Sequence, residues 1–251
     1  MTGFGDLHRP GDPLVLANVW DVGSARAMVA AGFPAVGTTS LGVAASHGLP
    51  DATRAARDQT LACADALTHA KLGCFITCDV EDGFSDDAAE VADLVLRLGV
   101  DGVNIEDETH GRLIPAADHA AKIRAVKDRA PDVFVNARTD GFWLGDGILA
   151  DAIDRAKQYV DAGADGVFLP GRLDAATIAA FVEAVDAPVN VLASASLSVR
   201  QLAELGVARV STGSLPYRAA LRHAVLAATA VRDGGPLPEA MGYDEVQALH
   251  S

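Results

Sequence analysis

Three short runs place acidic, amide and cationic side chains where apolar segments end. TCDVEDGFSD, residues 77–86, follows GCFI and delivers Asp79, Glu81 and Asp82 almost together. GVNIED, 102–107, carries Asn104 and Glu106, and VFVNARTD, 133–140, carries Asn136 and Arg138. Carboxylates this close repel one another unless a cation neutralises them. Oxygen ligands without a Cys or His cluster suit a hard divalent ion, Mg²⁺ or Mn²⁺. Arg138 offers a planar fork for a carboxylate or phosphonate on a substrate. The competing reading is that such acids cap helices or pair with arginines in loops. Asp82, Asp86 and Asp87, just ahead of a helical run, fit that reading.

The elements that must position these residues follow from side-chain alternation along a strand. Thr77, Asp79 and Glu81 share one parity, and Ile76, Cys78 and Val80 take the other. Asn104 and Glu106 oppose Val103 and Ile105; Asn136 and Arg138 oppose Val135 and Ala137. Three strands with polar residues on one parity and apolar residues on the other fit a barrel whose outer face packs on helices. Eight strand candidates recur, at 13–20, 35–42, 74–82, 102–107, 133–140, 166–171, 188–194 and 208–214, with amphipathic runs such as 86–99, 116–129 and 148–163 between them. Alternating strands and helices imply a parallel sheet. Eight units in 251 residues predict an α/β fold, the closed (β/α)8 TIM barrel; an open doubly wound sheet is the alternative. Four pairs, Gly32/Val36, Gly99/Val103, Gly163/Val167 and Gly206/Val210, repeat a glycine helix cap four residues before a strand valine, each at an even-numbered strand. In the barrel, Asp79, Glu81 and Glu106 converge at the C-terminal mouth, where barrel enzymes keep their active sites.

Other stretches belong near that mouth. GTTSLG, 37–42, ends the second strand in small residues whose N–H groups could hold a carboxylate; an ordinary strand exit is the alternative. HGLPD places Asp51 on the loop that follows. STGS, 211–214, ends the eighth strand and opens a helix, as a phosphate site or as a plain cap. Cys78 is on the outward parity, as packing. The histidines show no HxH or HExxH spacing.

The formal charge of −14 argues against nucleic acid and against an anionic membrane surface. No apolar run reaches the roughly 18 residues of a membrane span, and no signal-peptide core opens the chain. Three cysteines without a CxxC pair predict free thiols and a cytoplasmic setting. The expectation is a single domain over residues 1–251, with a short extension from about residue 234.

Taken together and in order, NVWDVGSARAMVAAGFPAVGTTSLGVAASHGLPD, CDVEDGFSD, GVNIEDE, VNARTD and AGADGVFLPG resemble the isocitrate lyase/phosphoenolpyruvate mutase superfamily, in its carboxyphosphonoenolpyruvate phosphonomutase-like branch. The resemblance covers roughly residues 13–220. It implies a (β/α)8 barrel that makes or breaks C–C or P–C bonds beside a carboxylate, through a Mg²⁺-bound enolate. By position it implies a metal shell of Asp79, Glu81, Glu106 and Asp51, much of it reaching the ion through water. Glu81 stands where the family has Asp. It also implies that the backbone of Thr39, Ser40 and Leu41 holds the substrate carboxylate, and that Arg138 contacts the substrate. Thr39 and Ser40 depart from the family's Ser-Gly. The loop after the fourth strand departs furthest: IEDETHGRLIPAADHAAKI, 105–123, lacks the lyases' catalytic Cys and the mutases' long lid. His110 is left there as a proton donor; a solvated loop histidine is the plainer reading. The resemblance further implies a homo-oligomer, a dimer or tetramer, with a swapped eighth helix at about 216–233. The leading expectation is a Mg²⁺-dependent lyase, mutase or hydrolase of a small 2-oxo or 2-hydroxy acid or phosphonate. A different barrel enzyme, such as an aldolase, is disfavoured because no Lys sits in a strand segment. A non-catalytic metal- or carboxylate-binding barrel that has lost its lid is the remaining alternative.

Overall fold

The computed structural model describes residues 3–145 and 147–250. Eight parallel strands close into a barrel: Leu14–Val19, Ala35–Thr38, Phe75–Asp79, Gly102–Glu106, Phe134–Arg138, Gly166–Leu169, Val189–Leu192 and Arg209–Ser211. All eight fall inside the predicted segments. Each pairs with its neighbour in sequence, and the first pairs with the eighth. The barrel is therefore closed and the open sheet is excluded. Gly32, Gly99, Gly163 and Gly206 all take left-handed backbone, φ between +63° and +103°. Each ends a helix and turns the chain into the next strand, a conformation that costs glycine little.

The outward parity packs as expected. Ile76, Cys78, Val80, Val103, Ile105, Val135 and Ala137 lie in one buried cluster with residues of the surrounding helices, Ala88–Leu98, Ala116–Arg129 and Leu149–Asp161. At the N-terminal end a 3₁₀ turn, Phe4–Leu7, plugs the barrel. Phe4 packs with Leu14, Ala35, Phe75 and Phe134, and the His8 ring stacks on Phe134 at 4.2 Å. A Cβ on Gly102 would stand 2.7 Å from the Phe4 ring, so the plug requires glycine there.

Above the plug the barrel interior is polar, unlike the branched apolar layers usual in this fold. Asn104, Asn136, Asn190, Arg209 and Ser211 are buried and bonded to one another there.

The eighth helix, Leu215–Asp233, packs loosely on its own barrel. Tyr217 is its one buried residue, and Leu221, Val225, Leu226 and Val231 are 40–70% exposed. Beyond it a short helix, Tyr243–Ala248, follows, and Arg26 Nη1 of the first helix, Val22–Ala30, donates to the Leu249 carbonyl at 2.7 Å. Among the described residues no helix is long and apolar enough to cross a membrane.

Candidate active site

The third strand ends at Asp79, earlier than its apolar run suggests. Glu81 takes φ +48°, so it reaches the mouth through a turn and not through continued alternation. The Glu106 N–H donates to the Glu81 carbonyl at 2.9 Å, which anchors that turn to the fourth strand. Five of the six described non-glycine residues with positive φ, Ala52, Arg54, Glu81, Phe84 and His110, lie in the loops after strands two, three and four. Such backbone costs about 1–2 kcal/mol per residue and persists only where surrounding contacts hold it. Here the holding contacts are visible. The Arg54 N–H donates to Glu81 Oε2 at 2.7 Å, and the His110 N–H donates to the Ala52 carbonyl at 3.1 Å.

Within these loops the acids divide into two sets. Asp82, fully buried, is neutralised by Arg54 and by the buried Lys122, whose Nζ lies 3.2 Å from Asp82 Oδ2. Asp86 pairs with Arg54 at 2.5 Å, and Asp87 caps the helix at Ala88 by accepting from the Ala89 N–H. These three thus play the pairing and capping roles that their positions suggest. Asp79, Glu81 and Glu106 are different. Burial pushes the Asp79 carboxyl up to about 6, opposed by Arg138 and reinforced by Asp51. Burial likewise pushes Glu81 up to about 7, with Asp51 and Asp79 repelling its charge. Glu106 is raised well above the carboxylate range, again by burial first. Asp51 Oδ1 and Glu81 Oε1 are buried without a hydrogen-bond partner, and Glu106 Oε2 faces only the Arg138 guanidinium. Buried acids of like charge with free lone pairs are suited to binding a cation. The donors fit Mg²⁺ or Mn²⁺ chemically. Among the described residues no three such side chains come close enough to form a cage by themselves, so the fit is to an ion that keeps several of its waters.

Arg138 is less free than a bare fork. Its Nη1 approaches Glu106 Oε2 at 2.6 Å, its Nε donates to Asp140 Oδ1 at 2.8 Å, and its guanidinium lies over the rings of Trp143 and Phe168. Asp140 is itself braced, because its N–H donates to Asp107 Oδ1 at 2.8 Å. Asp107, fully buried, also accepts from Tyr159 Oη at 2.5 Å and Arg155 Nη1 at 3.1 Å. Sequence reading missed this brace, since its members lie up to 52 positions apart. It also missed Glu108, buried beside the cluster, although the run IEDE held the signal.

Thr39, Ser40 and Leu41 are not an extended strand exit. The second strand stops at Thr38, Thr39 is an N-cap, and Ser40–Ser46 is a short helix. The Thr39 N–H is already given to the Val19 carbonyl at 3.0 Å, which corrects its expected role. The N–H groups of Ser40 and Leu41, in a first helical turn, have no acceptor within their helix. The loop after strand four is no open lid but a tight hairpin, Glu108–Thr109 against Arg112–Leu113. His110 sits exposed at its tip, and Asp51 is half-buried on the facing loop. On the far side of the mouth a cleft of about 960 Å³ opens, lined among others by Phe142, Trp143, Arg172, Ser194, Ser196 and Arg218.

The family model described as phosphoenolpyruvate phosphomutase matches residues 4–232. An uncharacterized protein of Mycobacterium tuberculosis is 50% identical over 246 residues, covering 98% of this chain and 95% of that one. A phosphoenolpyruvate phosphomutase of Streptomyces hygroscopicus is 32% identical, over 85% of this chain and 74% of its own length. The crystal structure of a lyase/mutase candidate from Burkholderia cenocepacia J2315 superposes with a TM-score of 0.88 at 37% identity, covering 98% of this chain and 93% of that one.

Proposed function

Because the chain belongs to the phosphoenolpyruvate mutase/isocitrate lyase superfamily, we propose that it is a Mg²⁺-dependent lyase, mutase or hydrolase of a small 2-oxo or 2-hydroxy carboxylate or phosphonate. One observation supports this most: buried, mutually repelling carboxylates with unpartnered oxygens stand beside a braced arginine at a barrel mouth. In this reading Asp79, Glu81, Glu106 and Asp51 hold the ion, much of it through water. When bound, the ion supplies positive charge for the substrate oxygen on which negative charge grows as a C–C or C–P bond breaks. Arg138 binds the substrate's anionic group, and Asp140 with Asp107 behind it fixes the guanidinium plane. The N–H groups of Ser40 and Leu41 orient the carboxylate. His110, on a hairpin pinned to Ala52, is the proton donor at the rim.

The same reading makes the protein cytoplasmic and a homo-oligomer, a dimer or tetramer, in which a partner covers the apolar face of the eighth helix. The reaction is tested by incubating the protein and Mg²⁺ with a panel of 2-oxo acids, 2-hydroxy diacids and phosphonates, and following bond cleavage by NMR. Turnover of one class, lost on chelation and in Asp79→Ala, is the expected result. A protein that binds Mg²⁺ yet turns over nothing in the panel would point instead to a binding barrel.

A further inference from the structure

Arg209 opens the eighth strand, points into the barrel and is fully buried. Its side chain crosses the interior to the opposite wall, where Nη2 donates to Asn104 Oδ1 at 3.1 Å; Nε donates to Ser211 Oγ at 3.1 Å. Both acceptors are neutral, and Nη1 has no hydrogen-bond partner. No carboxylate among the described residues lies within ion-pair distance of this guanidinium. Burying a charge in this way is costly, and such charges are retained where something compensates them.

The compensation lies one layer higher. Asn104, which accepts from Arg209, stands directly opposite Asp79 in the register of strands three and four. Asp79 is buried and likewise has no ion pair within 4 Å among the described residues. Arg209 and Asp79 thus approach Asn104 from the interior and from the neighbouring strand, with no ion pair on either, so their opposite charges attract across a buried, low-dielectric interior. Below Arg209 lies His8, which burial first and the Arg209 charge second hold neutral, at about 4.

We propose that Arg209 is the internal counter-charge of the acidic site, a positioning residue that acts on the metal through Asp79 from beneath the mouth without touching metal or substrate. This rests on the metal reading above. Arg209 offsets the charge of the carboxylate set and, by the same field, weakens divalent binding so that the ion can exchange. The asparagines and Ser211 of the interior are its scaffold, which accounts for a polar core where branched apolar residues are usual.

The test is Mg²⁺ affinity by calorimetry at about pH 8, above the raised values of Asp79 and Glu81, in wild type, Arg209→Gln and Arg209→Lys. Gln keeps a donor for Asn104 or Ser211 and removes the charge; Lys keeps the charge. Arg209→Gln is expected to bind Mg²⁺ about tenfold more tightly and to gain more in melting temperature on adding it. Arg209→Lys should stay within about twofold of wild type in affinity. Equal or weaker Mg²⁺ binding in Arg209→Gln would overturn the proposal, while a wild type that binds no Mg²⁺ would overturn the metal reading itself. If Arg209→Gln does not fold, Asp79→Asn/Arg209→Gln should fold again, because both unpaired charges are gone; a double variant that stays unfolded counts against the proposal.

Discussion

Asp79 concentrates the residue-scale argument. It is buried, lacks an ion pair and carries a carboxyl raised from 3.8 to about 6. A folded value above the unfolded one means a contribution to stability that is present below about pH 4 and lost as pH rises through about 6. Two units correspond to about 3 kcal/mol at most, so above pH 7 the ionised carboxyl costs the metal-free protein a sizeable share of its stability. Asp79→Asn should therefore raise the metal-free stability at about pH 8 by roughly 1–3 kcal/mol in urea unfolding, and erase the gain on adding Mg²⁺. A metal-free variant weaker than wild type would show that the fold favours the Asp79 carboxylate and would overturn this account of its burial. Asp79, Glu106 and Arg138 were legible as a converging set because strand alternation alone aims them. Arg209 obeys the same alternation with Ser211, yet its meaning depends on Asn104, 105 positions away, and no local pattern carries that distance.

At the scale of elements, the strands and their glycine caps could be read directly, since each depends on a few neighbouring residues. The mouth loops could not. The turn at Glu81 and Asp82 and the hairpin at Glu108 exist because Arg54 and Ala52 of the loop after strand two, and Lys122 of the helix Ala116–Arg129, hold them from far along the chain. The helix Ala116–Arg129 shows what such packing does to an ionisable group. His119 is fully buried edge-on against Tyr159, at 4.6 Å, and burial, with Lys122 and Arg155 nearby, lowers it from 6.5 to about 3. A depressed histidine contributes stability that is complete above about pH 6.5 and is lost as pH falls toward the folded value, by about 1.4 kcal/mol per pH unit. His119→Phe should flatten the acid limb of the stability profile between about pH 6 and 4 relative to wild type. An unchanged slope would place the proton uptake elsewhere, His8 being the next candidate.

For the whole molecule, a net charge of −14 and several buried acids at the mouth favour a cation as the first ligand and a small anion as the second. The eighth helix leaves Leu221, Val225, Leu226 and Val231 exposed, and exposed apolar side chains gathered on one element mark a surface for association. Light scattering should give the mass of a dimer or tetramer, and Val225→Glu should shift it toward the 25.9 kDa chain; a wild type already at that mass would refute the oligomer. The central claim, that the mouth holds a divalent ion and an enolate-like anion together, is tested most directly by thermal unfolding with Mg²⁺, with oxalate, and with both. Oxalate is planar and dianionic like the enolate of a 2-oxo acid, and ligands that bind only the folded state raise its melting temperature. The account predicts a rise with the pair well beyond the sum of the separate effects, absent in Asp79→Ala. Merely additive shifts, or a joint effect that survives Asp79→Ala, would contradict it.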